Sequence, residues 1–321
     1  MGRLSQAQII PEDWIPLEGW VNSAEEYVTE KFDGFFDVVQ DVMDTFVEAL
    51  VFVLAAPPEL LMITILTVVA FVAAGWRVGV FTVLGLLLIV GLGLWDQSME
   101  TLALTLAATV VSLAIGIPIG IIAAKNRGFE TFIRPVLDVM QTLPAFVYLV
   151  PVVVLLSTGN PPALIATVIF ATPPAVRLTM LGIQQVPKET VEAAHAFGAT
   201  PWQTLSKVEL PLSLRSIMAG VNQVIMLSLS MAVIAGLVGF GGLGEIVVAG
   251  LGQLNVGQAM VGGVGIVILA IILDRVTRGL ERTKDKGGGI SKVFSGKRSN
   301  PGSVSGASVG AGSSSDGGSG N

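Results

Sequence analysis

The sequence predicts an all-α membrane protein of about seven transmembrane helices, preceded by an N-terminal amphipathic helix. Of its 321 residues, 52% are hydrophobic and 13% are charged, against roughly 25% charged in a soluble domain. Mean hydropathy is +0.76. The apolar residues also fall in blocks near the ~20 residues that a helix rising ~1.5 Å per residue needs to cross a hydrocarbon core ~30 Å thick. Together these place most of the chain in lipid.

The spans are expected at about 60–75, 78–95, 99–124, 135–157, 162–183, 214–238 and 256–273. Pro57-Pro58 should break or kink any backward extension of the first. Alternate connections carry the basic residues: Arg77, then Lys125, Arg127 and Arg134, then Lys188 and Lys207, then the tail from Arg275 to Arg298. The connections at Trp95 to Glu100, at Ser157 to Asn160 and around Glu245 carry no Lys or Arg. Positive charge is retained on the cytoplasmic side, so the expected topology is a multi-pass inner-membrane protein with its N-terminus outside and its C-terminus in the cytosol.

Residues 1–31 read as a polar extracytoplasmic segment without a signal peptide, since Met1 to Ile10 has neither a basic nor an apolar region. From 32 to 56 an amphipathic helix is expected. Phe35, Phe36, Val39, Val42, Met43, Phe46, Val47 and Leu50 recur at helical spacing, opposite Asp33, Asp37, Asp41, Asp44 and Glu48. It could lie flat on the outer surface, but its acidic polar face makes packing against the protein's own spans an equal alternative. The spans then form a domain over 60–280. After Lys286 the composition turns to Gly and Ser, too poor in apolar surface to offset ordering entropy, and 284–321 is expected to be disordered.

The loop after the fifth span carries the strongest local signal. Pro187 followed by Lys188-Glu189-Thr190-Val191-Glu192 opens a helix, because proline suits a first turn and acids suit the positive end of the dipole. Ala193, Ala194 and Ala196 sustain it, and Gly198 supplies a C-cap. Thr200 as N-cap, Pro201 at the first helical position and Gln203 as the capping-box partner start a second helix, expected to stop near Pro211. Two short helices about a glycine bend, on the basic side of the membrane, form a compact knob suited to a cleft on a partner.

These residues carry a family resemblance. Glu192-Ala193-Ala194, Gly198 and Leu210-Pro211 resemble the EAA loop of ABC-importer permeases, with Val208 where isoleucine is usual. Residues from about 99 to 280 are similar to the glycine betaine/proline (quaternary-amine) permeases. The similarity is carried by Asp138 to Leu149, by Ala171-Thr172-Pro173-Pro174-Ala175-Val176-Arg177 and by Gly239-Phe240-Gly241-Gly242-Leu243-Gly244. The resemblance implies the type I importer permease fold and a loop, 187–211, in which Glu192, Ala193, Ala194, Gly198, Leu210 and Pro211 couple to a separate ABC ATPase subunit. It further implies an extracytoplasmic substrate-binding protein, a homodimer of the permease and a small zwitterionic solute. ATP and Mg would be bound by the ATPase, leaving this chain without a cofactor of its own.

The remaining residues narrow the chemistry. With no cysteine and one histidine, a thiolate site is excluded and a histidine metal centre is disfavoured. The chain has no Walker A sequence, so the glycine run 239–244 reads as an outer turn or re-entrant segment and not as a nucleotide loop. No constellation suggests an enzyme or a nucleic-acid binder. Ionisable side chains are scarce within the spans, which favours an external motor over ion-gradient coupling. Neutral polar groups at depth, including Gln141, Tyr148 and Asn222, bond helix to helix or line a pathway. The Phe146 or Tyr148 ring could meet a cationic solute. A non-transporting membrane scaffold and an ion-coupled secondary transporter are the alternatives, and membrane lipid is the surrounding solvent in every case.

Overall fold

The computed structural model describes residues 17–287, which are helical apart from short junctions. The first helix, α1 (Leu17–Ala55), bends at Phe32, where φ is −115° and ψ is 18°. The bend falls where the polar segment was expected to give way to the amphipathic helix, but 17–31 is helical too. Residues 1–16 lie outside the described residues. At Pro57-Pro58 the chain turns by 98° into α2 (Glu59–Ala74). Gly75, at φ +91°, then reverses it into α3 (Trp76–Gly91), and these two helices pack together. At 16 residues each they are about 24 Å long, short of the ~30 Å apolar core.

Four helices among the described residues are long and apolar enough to cross a membrane unbroken, and two bent pairs raise this to six. Together with the short apolar α3, these six cover the positions of the seven expected spans. The centre of the bundle is α4 (Trp95–Lys125), α7 (Asn160–Gln184) and α10 (Leu210–Ala235). Small residues are prominent in their contact: Ala107, Ala108, Ala163, Ala171, Ala175 and Ala232 are buried there. A Cβ on Gly116 would stand 2.5 Å from that of Ala175, and one on Gly120 would stand 2.7 Å from the Val176 carbonyl oxygen. In lipid there is no hydrophobic gain from pairing helices, so close backbone approach and dispersion must hold them.

The structure refines the expected elements. The fourth expected span, 135–157, is not one helix: α5 (Arg127–Thr142) and α6 (Ala145–Leu156) meet at 96° across Leu143-Pro144. Proline at 144 removes a donor and disfavours helix at the preceding residue, and Leu143 is extended at φ −72°, ψ 134°. Pro118, Pro151, Pro173 and Pro174 lie inside helices that run on through them. Of the two placements open for the amphipathic part of α1, the structure shows the packed one. Val47 is fully buried against Leu104, Ala108, Leu164 and Ala232, with Met43, Phe46 and Leu50 around it. Finally, α12 (Val256–Gly287) runs past the expected end of its span, so 284–287 is helical; the rest of the expected disordered tail lies outside the described residues.

Candidate coupling loop and solute pathway

The loop forms a knob at one end of the bundle. Pro187 (φ −55°, ψ 127°) precedes α8 (Lys188–Ala196), none of whose residues is buried. The helix closes with two bonds: the Ala199 amide donates to the Ala194 carbonyl at 3.0 Å, and the Gly198 amide donates to the His195 carbonyl at 2.9 Å. That pattern, with Gly198 at φ +79°, is a Schellman cap, which glycine adopts without a Cβ penalty. Thr200 and Gln203 then form the reciprocal capping box at the start of α9 (Pro201–Thr204). At the tip Phe197 is 92% exposed and Trp202 73%, and Glu192 and Ala193 are exposed beside them.

The second loop helix does not stop at Pro211. After α9 the chain makes a π-turn over Leu205–Glu209 and continues directly into α10 and a 3-10 turn (Gly236–Val238), giving one 38-residue helical stretch from Pro201 to Val238. Proline in a regular helix clashes with the carbonyl four residues back. The wider π-turn, in which the Leu210 amide bonds to the Leu205 carbonyl, opens the ladder just ahead of Pro211, and the helix absorbs the proline. Leu210 and Pro211 therefore sit inside a span and not at a loop end.

Three ion pairs lie toward this end. Glu209 is buried at 4% exposure, and its Oε2 accepts from Lys125 Nζ at the end of α4. Arg177 on α7 reaches Asp138 on α5 at 2.5 Å, and Arg134 pairs with Glu130 one turn away. A cleft lined by Lys125, Gln184, Lys188, Glu192 and Glu209 separates α8 from the ends of α4 and α7.

The four candidate pathway residues divide. Gln141 and the 53%-exposed Phe146 stand open on either side of the α5–α6 break. Tyr148 donates to the Met140 carbonyl across that break and packs beside Phe170, ring centroids 6.3 Å apart. Asn222 donates to Asp274 at 3.2 Å and accepts from Thr277 at 3.1 Å, tying α10 to α12.

At the opposite end the glycine run builds a junction. Its short helix α11 (Gly242–Gly252) is capped from α4: Glu100 accepts from the Gly242 amide at 2.6 Å, and Thr101 accepts from the Leu243 amide at 2.8 Å. A Cβ on Gly236 would stand 2.4 Å from the Gly244 carbonyl carbon, so the glycines serve backbone contact.

Residues 116–286 match the family described as binding-protein-dependent transport system inner membrane component, which is more than half of the chain. The chain belongs to that family. The permease is 47% identical over 268 residues to the glycine betaine/proline betaine transport system permease protein ProW of Escherichia coli, covering 84% of this chain and 76% of that one. It is 43% identical to the glycine betaine transport system permease protein OpuAB of Bacillus subtilis, over 85% of this chain and 97% of that one. It is 45% identical to the glycine betaine/carnitine transport permease protein GbuB of Listeria monocytogenes, over 84% and 96%. Among solved structures it resembles an inward-facing MetNI methionine ABC transporter chain, with a TM-score of 0.53 at 26% identity over 58% of this chain and 95% of that one. The expected importer fold is therefore found, in a multi-pass inner-membrane protein. The permease is not an enzyme; ATP hydrolysis lies with a separate ATPase, and a substrate-binding partner is implied alongside it.

Reasoning from sequence missed three contacts in the permease: Lys125–Glu209, Glu100 with Gly242, and Asp274–Asn222. Each joins residues 52 to 142 positions apart. The one local hint was an isolated acid at Glu209, between Val208 and Leu210.

Proposed function

We propose that the permease imports a small quaternary amine, glycine betaine or proline betaine, as a pair of copies driven by two ATPase subunits docked at residues 187–211. The carrying observation is the knob. A Schellman-capped helix and a capping-box helix stand exposed and preorganised at the end of the bundle where Lys125, Lys188 and Lys207 cluster, the side that basic residues mark as cytosolic. Preorganisation lowers the ordering cost of docking. Glu192, Ala193, Ala194 and Gly198 form the docking surface; Leu210 and Pro211 carry the connection into α10. ATP is bound and hydrolysed on the ATPases, and closure of those subunits moves the knobs and, with them, the spans. A binding protein delivers the solute at the opposite end, beside α11 and α1.

The solute assignment is supported by identity to glycine betaine permeases across more than four-fifths of the chain. Gln141 and Phe146 fit the pathway between copies, since an exposed amide next to a sharp helix break is poorly placed facing lipid. The test is radiolabelled glycine betaine uptake in cells lacking their own betaine systems, with this permease, its ATPase and its binding protein expressed together. Uptake that requires all three is the expected result. Assembly without betaine uptake would refute the solute, and uptake without the ATPase would refute the motor.

A further inference from the structure

The geometry points to the Lys125–Glu209 ion pair as the positioning contact that carries movement of the docking knob into α4. This inference rests on the importer reading above and adds a route of coupling to it. The knob has two covalent connections to the spans, through Pro187 to α7 and through the π-turn to α10. It has none to α4, yet α4 packs along both α7 and α10 at the centre of the bundle.

The pair closes that gap. Glu209 ends the π-turn, with its side chain 6% exposed, and its partner is the last residue of α4. A buried carboxylate is costly unless paired, so the contact holds the π-turn and the end of α4 together as one body. It also sits where it is mechanically useful. A π-turn departs from the regular helical ladder and is a common place for a helix to give. Clamping its end to α4 lets movement of the knob pass into the span without being lost in local bending. Glu192, on the expected docking surface, lines the same cleft as both members of the pair, with Lys188 and Gln184 beside it.

The test uses the full complex of permease, ATPase and binding protein in liposomes, and reads solute imported per ATP hydrolysed, with ATPase retention on the permease as the assembly control. Lys125→Gln and Glu209→Gln are each expected to retain the ATPase and its hydrolysis while lowering the ratio by roughly tenfold, a size common for coupled contacting residues. The exchanged pair Lys125→Glu/Glu209→Lys is expected to recover most of that loss. Where a single variant fails to assemble, Lys125→Met/Glu209→Met decides the matter, because an apolar pair of similar volume restores packing without the charges; its ratio should stay low. A wild-type ratio in an assembled single variant, or in the double methionine variant, overturns the inference. Every ratio is taken against the wild-type complex. A wild type that imports nothing counts against the importer reading, whereas an active wild type beside unaffected variants counts against the pair alone.

Discussion

Replacing Gly198 with valine tests the docking knob at its most constrained point. The backbone there stands at φ +79°, and a Cβ would meet nothing within 4 Å, so the penalty is conformational and not a clash. An L-residue in this left-handed region costs roughly 1–2 kcal/mol, and a β-branched one is a genuine outlier there. The free loop therefore relaxes away from that conformation, giving up the Ala199–Ala194 and Gly198–His195 bonds, each worth about 0.5–1.5 kcal/mol. Docking must then restore the strained geometry. At about 2 kcal/mol the affinity for the ATPase should fall about 30-fold, since 1.4 kcal/mol is a factor of ten. Gly198→Ala, at about 1 kcal/mol, should cost about fivefold. No residue of α8 is buried, so thermal stability of the isolated permease should be unchanged. The assay is titration of the ATPase onto detergent-solubilised permease, followed by uptake. Wild-type affinity and uptake in the valine variant would refute the docking role, and a large fall in stability would refute the expectation that the end of α8 adds nothing to the core.

Other outcomes follow from the same structure. Glu100→Ala removes the acceptor of the Gly242 amide and should lower stability in a thermal melt by about 1–3 kcal/mol, with ATPase docking unaffected. Gly116→Val places side-chain atoms where a Cβ already stands 2.5 Å from Ala175; overpacking costs about 1–3 kcal/mol, and loss of monodisperse protein on size exclusion is the expected readout. Asn222→Ala should destabilise the permease without changing the solute concentration for half-maximal uptake, because Asn222 is engaged with Asp274 and Thr277. Phe146→Ala should do the reverse, raising that concentration while leaving the melt unchanged.

The sequence was most legible where the governing interactions are short in range. Span positions follow from apolar length, and the knob follows from Pro187, Gly198 and the Thr200/Gln203 box, whose partners lie within five residues. It was least legible at prolines. Pro144 breaks a helix, Pro211 is absorbed by a π-turn, and Pro173-Pro174 pass without a break. The residue type is the same in each case, and the local backbone differs: Leu143 is extended ahead of Pro144, whereas a π-turn precedes Pro211. Tertiary placement decided the rest. The amphipathic pattern of 32–56 specified a helix with one apolar face, and the surface that buries Val47 comes from distant elements: Leu104 and Ala108 on α4, Leu164 on α7 and Ala232 on α10. The pathway residues were ambiguous for a related reason: an amide at depth bonds or lines according to what stands opposite it. Asp274 stands opposite Asn222.

The two covalent connections of the knob differ, and the difference bears on how a push could be transmitted. On one side α9, the π-turn, α10 and a closing 3-10 turn (Gly236–Val238) form a helical stretch of 38 residues, about 57 Å at 1.5 Å per residue, long enough to cross the membrane and project from it. On the other side Pro187, at non-helical ψ 127°, separates α8 from α7. A displacement of the knob thus reaches α10 along an axial lever but reaches α7 through a joint that can swivel. If both spans were to move as rigid parts, they would shear along their mutual contact, where Gly182 faces Ser213 and Ser216 and Gly220 faces Leu178. At that seam α4, packed along both helices, must follow or resist. The Lys125–Glu209 contact lies at the point where this choice is made. ATP hydrolysis lies with a separate ATPase, and the end of the bundle that carries the knob also holds the Lys125–Glu209, Arg134–Glu130 and Arg177–Asp138 pairs.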